Sequence, residues 1–235
     1  MTWKDITLGK YQQIEAINAK RLDDIDKALY CACVVFDKTE YQIDNEKPKK
    51  VLKMMNKMQS LFEIPFSPKP EKRIGKYVVN YDVSRITFGQ YVELSFFIGN
   101  GALRNVHYIL ATMSNRWRKK HTASDHRLKA DYFQTQPVEK VIGALNVIQE
   151  NYSRFNGEYK QLFGLDRDVA GDVQNDEFNK RYGWIYSATQ VKDHEGITLD
   201  EAFALPVRQA FNALLYLKAK GKYDMEQIRK PKPIL

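Results

Sequence analysis

Apolar residues spaced three and four apart, returning segment after segment, constrain this chain more than any other feature of its sequence. Leu8, Tyr11, Ile14 and Ile17 mark one face of a helix. A second helical run follows the capping pair Asp23-Asp24 through Ala28, Leu29, Cys31, Ala32, Val35 and Phe36. A third carries Val51, Leu52, Met54, Met55, Met58, Leu61 and Phe62. The pattern then stops at IPFSPKP, where Pro65, Pro68 and Pro70 force extended backbone. IGKYVVNYDV, rich in β-branched and aromatic residues, predicts a strand or short hairpin at 74–84. Beyond it helical spacing resumes over Phe88–Ile98, Ala102–Trp117 and a short stretch to Tyr132 capped by Ser124-Asp125. Pro137 suits the first turn of the next helix, through Val138, Val141, Ile142, Leu145 and Ile148 toward Phe163. Phe178–Val191 and Leu199 to about Lys220 complete the set. The expected fold is therefore mainly α with one small β element. It divides into an N-terminal helical lobe, 1–64, an extended connector, 65–85, and a C-terminal helical lobe with an extended tail, 86–235. The alternative is a single compact domain over 1–230.

Composition sets limits on what such a chain does. With 43% hydrophobic and 28% charged residues among 235, it can bury a core without disulfide or metal staples. Fourteen Tyr and twelve Phe favour large packed faces or an interface. Lys and Arg exceed Asp and Glu by 37 − 29 = 8, which permits an acidic or nucleic-acid partner without requiring one. No apolar run is long enough to span a membrane, and MTWKDITLGKYQQ lacks the apolar stretch of a signal peptide. The expected location is a cytoplasm, with no membrane partner. Cys31 and Cys33, two apart on a helix, point in opposed directions and read as structural thiols.

The hexapeptide ITLGKY at 6–11 returns as ITFGQY at 86–91, with a looser echo, ITLDE, at 197–201. In each, Thr precedes a helical pattern and is expected at the N-cap, where its hydroxyl accepts an orphaned backbone N–H. Gln90 and Glu201, three residues after their threonines, complete capping boxes; Lys10 does not. The echo therefore reads as local capping chemistry. Duplication at an offset of 80 residues is the competing reading, and little outside the hexapeptide aligns at that offset.

Catalytic signatures are absent: no GxGxxG, GxxxxGK[ST], HExxH or GxSxG occurs, and His107, His121, His126 and His194 are scattered. No catalytic residue and no cofactor are expected. Asp166, Asp168, Gly171, Asp172 and Glu177 follow a calcium-loop pattern, but Ala170 occupies the fifth position and removes a ligand. A degenerate EF-hand-like site is thus one alternative; an acidic loop capping the following helix is the plainer reading. The run Arg116, Trp117, Arg118, Lys119, Lys120, continued by Arg127 and Lys129, mixes cations with an indole as phosphate- and base-gripping surfaces do. A basic nucleic-acid-binding module is the second alternative. The tail KPKPIL offers Lys232, Ile234 and Leu235 for docking in extended form on a partner.

ITFGQYVEL, HYILATM, DYFQTQPVEKVIGALNVI, FNKRYGWIYSATQV and LPVRQAFNALLYLKAKGKY, spanning residues 85–223, resemble helical proteins of tailed bacteriophages. These are encoded in the virion and tail gene modules of crAss-like and other Bacteroidetes phages. The resemblance lies in aromatic and apolar positions and brings no active-site residue with it. It implies a non-enzymatic structural or assembly protein: a tail or connector component, a packaged cargo protein, or a tail-assembly chaperone. Its expected partners are other phage structural proteins, in a symmetric oligomer or singly. Its expected place is the host cytoplasm during assembly, or the virion.

Overall fold

A computed structural model describes residues 1–116, 125–162 and 176–229. It is mainly helical: eleven α-helices, two short 3-10 helices and three strands lie among the described residues. In chain order these are α1 (Leu8–Asn18), α2 (Asp24–Phe36), α3 (Glu40–Asp44), α4 (Pro48–Glu63), β1 (Arg73–Ile74), β2 (Tyr77–Val79), α5 (Phe88–Gly99), α6 (Val106–Thr112), β3 (Ser114–Arg116), α7 (His126–Gln134), α8 (Val138–Glu158), α9 (Asp176–Glu195), α10 (Leu199–Ala204) and α11 (Val207–Arg229). Contacts divide the chain at Tyr81–Asp82, inside the 65–85 segment, and at two further places. One unit comprises Met1–Tyr81 with Phe97–Val147, the other Asp82–Phe96 with Ile148–Leu235. Both boundaries inside the helical sequence fall within single helices, α5 and α8, where composition gives no linker signal.

Helix ends follow their caps. Asp23 accepts the Asp26 N–H at 2.7 Å to start α2. That helix stops at Asp37, the one non-glycine residue with positive φ (53°) among those described. Thr39 and Gln42 form a reciprocal capping box on α3, and Pro48 opens α4 at a position that needs no donor.

In the first unit α1 packs on α2 and α6 on α7. The expected β element is the hairpin β1–β2, in register Arg73↔Val78 and Ile74↔Tyr77, with Ile74, Tyr77 and Val79 buried. Gly75 takes φ +55° in its turn and lies directly under the Tyr132 hydroxyl, where no Cβ fits. The hairpin gains a third strand, β3, through Tyr77↔Arg116 and Val79↔Ser114. This corrects the helix expected over 102–117. α6 ends at Thr112, and the main chain of 114–116 pairs with β2 instead. The IPFSPKP segment is tied down by aromatic contacts: Trp3 donates to the Ile64 carbonyl at 3.0 Å, and Phe66 lies against Trp3 and Tyr11.

The repeated hexapeptide proves to be more than capping. Thr7 and Thr87 both cap their helices, and each also forms an antiparallel bridge to a proline, Thr7↔Pro137 and Thr87↔Pro206. In the first, Leu8 N–H donates to Gln136 O at 2.9 Å and Val138 N–H to Ile6 O at 2.9 Å. In the second, Phe88 N–H donates to Leu205 O at 2.8 Å and Val207 N–H to Ile86 O at 3.0 Å. A 3-10 turn precedes each threonine (Trp3–Asp5, Val83–Arg85). Gly9 and Gly89 face the backbone three residues before their proline, at Gln134 and Phe203. The same clip is built twice, once in each unit. The threonines lie 80 residues apart (87 − 7) and the prolines 69 (206 − 137), so no single offset reveals both halves. The third echo differs: Thr198 forms a full capping box with Glu201 on α10, but makes no clip.

Candidate interaction surface

The second unit is organised around Tyr91, which follows the clip of Thr87. Its ring is fully buried against Phe211 (4.8 Å), Trp184 (5.6 Å), Tyr152 (5.6 Å) and Phe155 (5.8 Å). Its hydroxyl donates to Asn156 Oδ1 at 2.6 Å. Burial pushes this phenol far above the usual tyrosine range, so it stays a neutral donor. Tyr152 donates in turn to Ser95 Oγ at 3.1 Å, and Ser95 to the Tyr91 carbonyl. These rings set the seats of α9 and α11.

α9 turns Ala188 and Val191 inward, with Trp184 against Phe88 and Tyr91. Its other side presents Tyr182, Ile185 and Tyr186, spaced i, i+3, i+4 and all exposed. α11 buries Val207, Ala210, Phe211, Ala213 and Leu214, all in its first half. From Lys218 to Arg229 every residue is exposed, among them Tyr223, Met225 and, at 83%, Ile228. Between α9 and α11 lies a groove of about 590 Å³ with Trp184, Phe211, Leu214 and Leu217 on its walls. At its end Lys218 donates to the Gln161 carbonyl. Ser187, Gln190 and Lys218 share the groove's lining with these apolar and aromatic side chains. Together with the exposed residues of α9 and α11, the arrangement suits contact with a protein side chain or helix.

Other sequence candidates fall differently. Lys129 is only 3% exposed and donates to the Ser114 carbonyl at 3.1 Å, so its ammonium is not offered to a phosphate. It sits on the inner face of α7, a placement the run of cations could not signal. Arg127 is exposed, and Arg116 contributes its backbone to β3. Trp117, Arg118, Lys119 and Lys120 lie outside the described residues, as do Asp166, Asp168 and Asp172 of the calcium-loop pattern and Lys232, Ile234 and Leu235 of the tail. Glu177 falls in the first turn of α9. Among the described residues no group of three His, Cys, Asp or Glu side chains could hold a metal ion. None of their helices is long and apolar enough to cross a membrane.

Two histidines that are scattered in the sequence share one stack. His126 lies parallel to Tyr108 and Phe97 (5.8 Å each), its Nε2 is 3.0 Å from Thr112 Oγ1, and His107 packs on Tyr108 at 4.2 Å. Burial lowers the His107 pKa, so the ring is held neutral. Among the described residues the cluster is held by ring packing and by the Thr112–His126 contact. Cys31 and Cys33 are both unbridged, and burial raises both thiol pKa values, as suits inert thiols.

Scans against protein-family models, curated proteins and solved structures found no match to this chain.

Proposed function

We propose that this chain works by contact with other proteins, as a structural or assembly component of a tailed-phage particle, and carries out no catalysis itself. The observation that supports this most is the second half of α11. Twelve consecutive residues, 218–229, stay helical with every side chain exposed, including Tyr223, Met225 and Ile228. A free helix of that length is marginal in water, and in proteins helices are held mainly by burying an apolar face. Such an extension, beside the exposed Tyr182, Ile185 and Tyr186 of α9, is suited to being covered by a partner. The resemblance of residues 85–223 to phage virion and tail-module proteins supports the choice of a phage particle as the setting.

The test is co-purification of the full chain with tail, connector and capsid proteins expressed from the same genome, together with proteomics of purified virions. Retention of a particle protein, abolished by Tyr223→Glu with Ile228→Glu and unaffected by Lys222→Gln, is the expected result. A subunit present at fixed copy number in virions would be a particle component, and one absent from virions but bound to a tail protein an assembly factor. Failure to associate with any particle protein in both experiments would overturn the reading.

A further inference from the structure

α4 carries a second surface, of different chemistry and independent of the α11 extension. Lys49, Lys53 and Lys57 follow one another at i, i+4 and i+8, which places three ammonium-bearing side chains in a row about 12 Å long. All three are exposed, and Asn56 and Ser60 lie beside them on a shallow groove that also includes Leu52. The opposite face is spent: Met54, Met58 and Leu61 are buried. No acidic residue occurs from Pro48 to Phe62. Of the flanking carboxylates, Glu46 is engaged by Lys38 at 2.8 Å and Lys50 at 2.7 Å, and Glu63 at the end of α4 accepts from Gln59 at 3.1 Å. Among the described residues Lys49, Lys53 and Lys57 form no ion pair. A helix face of one sign is self-repelling, since like charges at i, i+4 destabilise rather than support one another.

We propose that this row is a docking surface for the phosphate backbone of duplex DNA, read without regard to sequence. A duplex carries one negative charge per roughly 1.7 Å of axis with both strands counted, so a length of about 12 Å holds about seven phosphates, of which three lysines need contact only those on the near side. The Asn56 side chain adds a neutral donor of the kind that positions a backbone, while the Ser60 hydroxyl donates to the Asn56 carbonyl at 2.8 Å and leaves its oxygen as an acceptor. No aromatic side chain flanks the row within the groove, which removes the stacking platform that single strands use. An anionic bilayer is a poorer fit. An interfacial helix inserts its apolar face, and that face of α4 is buried within the protein. An acidic protein would meet a straight row of one sign less regularly than a repeating polyanion does.

The experiment is fluorescence anisotropy of a labelled mixed-sequence duplex of about 20 base pairs with the full chain, titrated in steps between 50 and 200 mM salt. Three contacts contribute about 2.7 to the logarithmic salt slope, at roughly 0.9 each, or about a 40-fold loss of affinity over that range. The triple variant Lys49→Gln, Lys53→Gln, Lys57→Gln should bind at least about tenfold more weakly at 50 mM, with a slope shallower by about 2 to 3. The Lys→Arg triple variant should retain binding. Circular dichroism of both variants controls for folding; if the Gln variant is unfolded, the single Lys53→Gln takes its place, with a slope change of about 0.9. Absence of DNA binding at 50 mM, or a slope and affinity unchanged in a folded variant, overturns the proposal. So does lysine-dependent binding to polyglutamate or to phosphatidylglycerol vesicles in the absence of DNA binding.

Discussion

Removing one oxygen atom from Tyr91 tests whether the second unit is held by a specific bond or only by bulk packing. Tyr91→Phe keeps the ring, whose contacts with Phe211, Trp184, Tyr152 and Phe155 account for most of its burial. The loss is the 2.6 Å hydrogen bond from the phenol to Asn156 Oδ1. A neutral hydrogen bond contributes about 0.5–1.5 kcal/mol net, and stranding a buried acceptor costs about 1–3 kcal/mol. Asn156 is only half-buried, so water can reach its amide in part and the lower end applies. The expected loss is about 1 kcal/mol, against about 3–5 kcal/mol for Tyr91→Ala, which also opens a cavity. Urea denaturation followed by circular dichroism measures both. Because the phenol and the amide are direct partners, Tyr91→Phe and Asn156→Ala should be non-additive, with a coupling near about 1 kcal/mol in the double-mutant cycle. Strict additivity, or a Phe variant as stable as the parent, would refute the assignment of this bond as a structural tie.

Thr87→Ala should cost about 1 kcal/mol, since it leaves the Gln90 N–H without its 3.2 Å cap; hydrogen exchange should speed first at the start of α5. Gly143→Ala should loosen the proline-rich segment, because a Cβ there overlaps the Lys69 main chain. Limited proteolysis between residues 64 and 72 would register it, and an unchanged cleavage rate would contradict the close approach. Glu46, bonded by Lys38 and Lys50, has its carboxyl lowered from 4.5 to about 2. The sign is that of a depressed folded pKa: the stabilisation is whole above pH 4.5 and is lost as pH falls from there toward 2. Glu46→Gln should flatten stability against pH in that window, and NMR titration of the carboxyl should place its midpoint well below an ordinary glutamate. A midpoint near 4.5 would mean that the two lysines do not hold it.

Local structure was largely legible in residue order, because its causes are local. Period-3.6 apolar spacing marks α1, α2, α4, α5 and α8, and three threonines stand at the heads of helices with their capping partners within the next three residues. The prolines of IPFSPKP and the β-branched run after them placed a break and a hairpin close to where they stand. Long-range pairing was not legible. β3 is made by Ser114-Asn115-Arg116, residues of no β preference, and exists only because β2 offers it main-chain partners. The same limit hid the clip. Thr7 and Thr87 announced a repeated start, but their partners Pro137 and Pro206 lie at separations that differ by 11 residues (130 − 119), so no alignment of the chain with itself brings them together. Lys129 illustrates the cost in function. Its charge reads as surface in a basic run, and only the packing of α7 decides that it is buried on the Ser114 carbonyl. Conversely, helical spacing over 178–191 does not tell that Tyr182 and Ile185 face outward. Tyr223 and Ile228 fall beyond the helix end expected near Lys220, in the tail expected to be extended, whereas α11 runs on to Arg229. Their exposure is a property of the folded arrangement and not of any stretch of sequence.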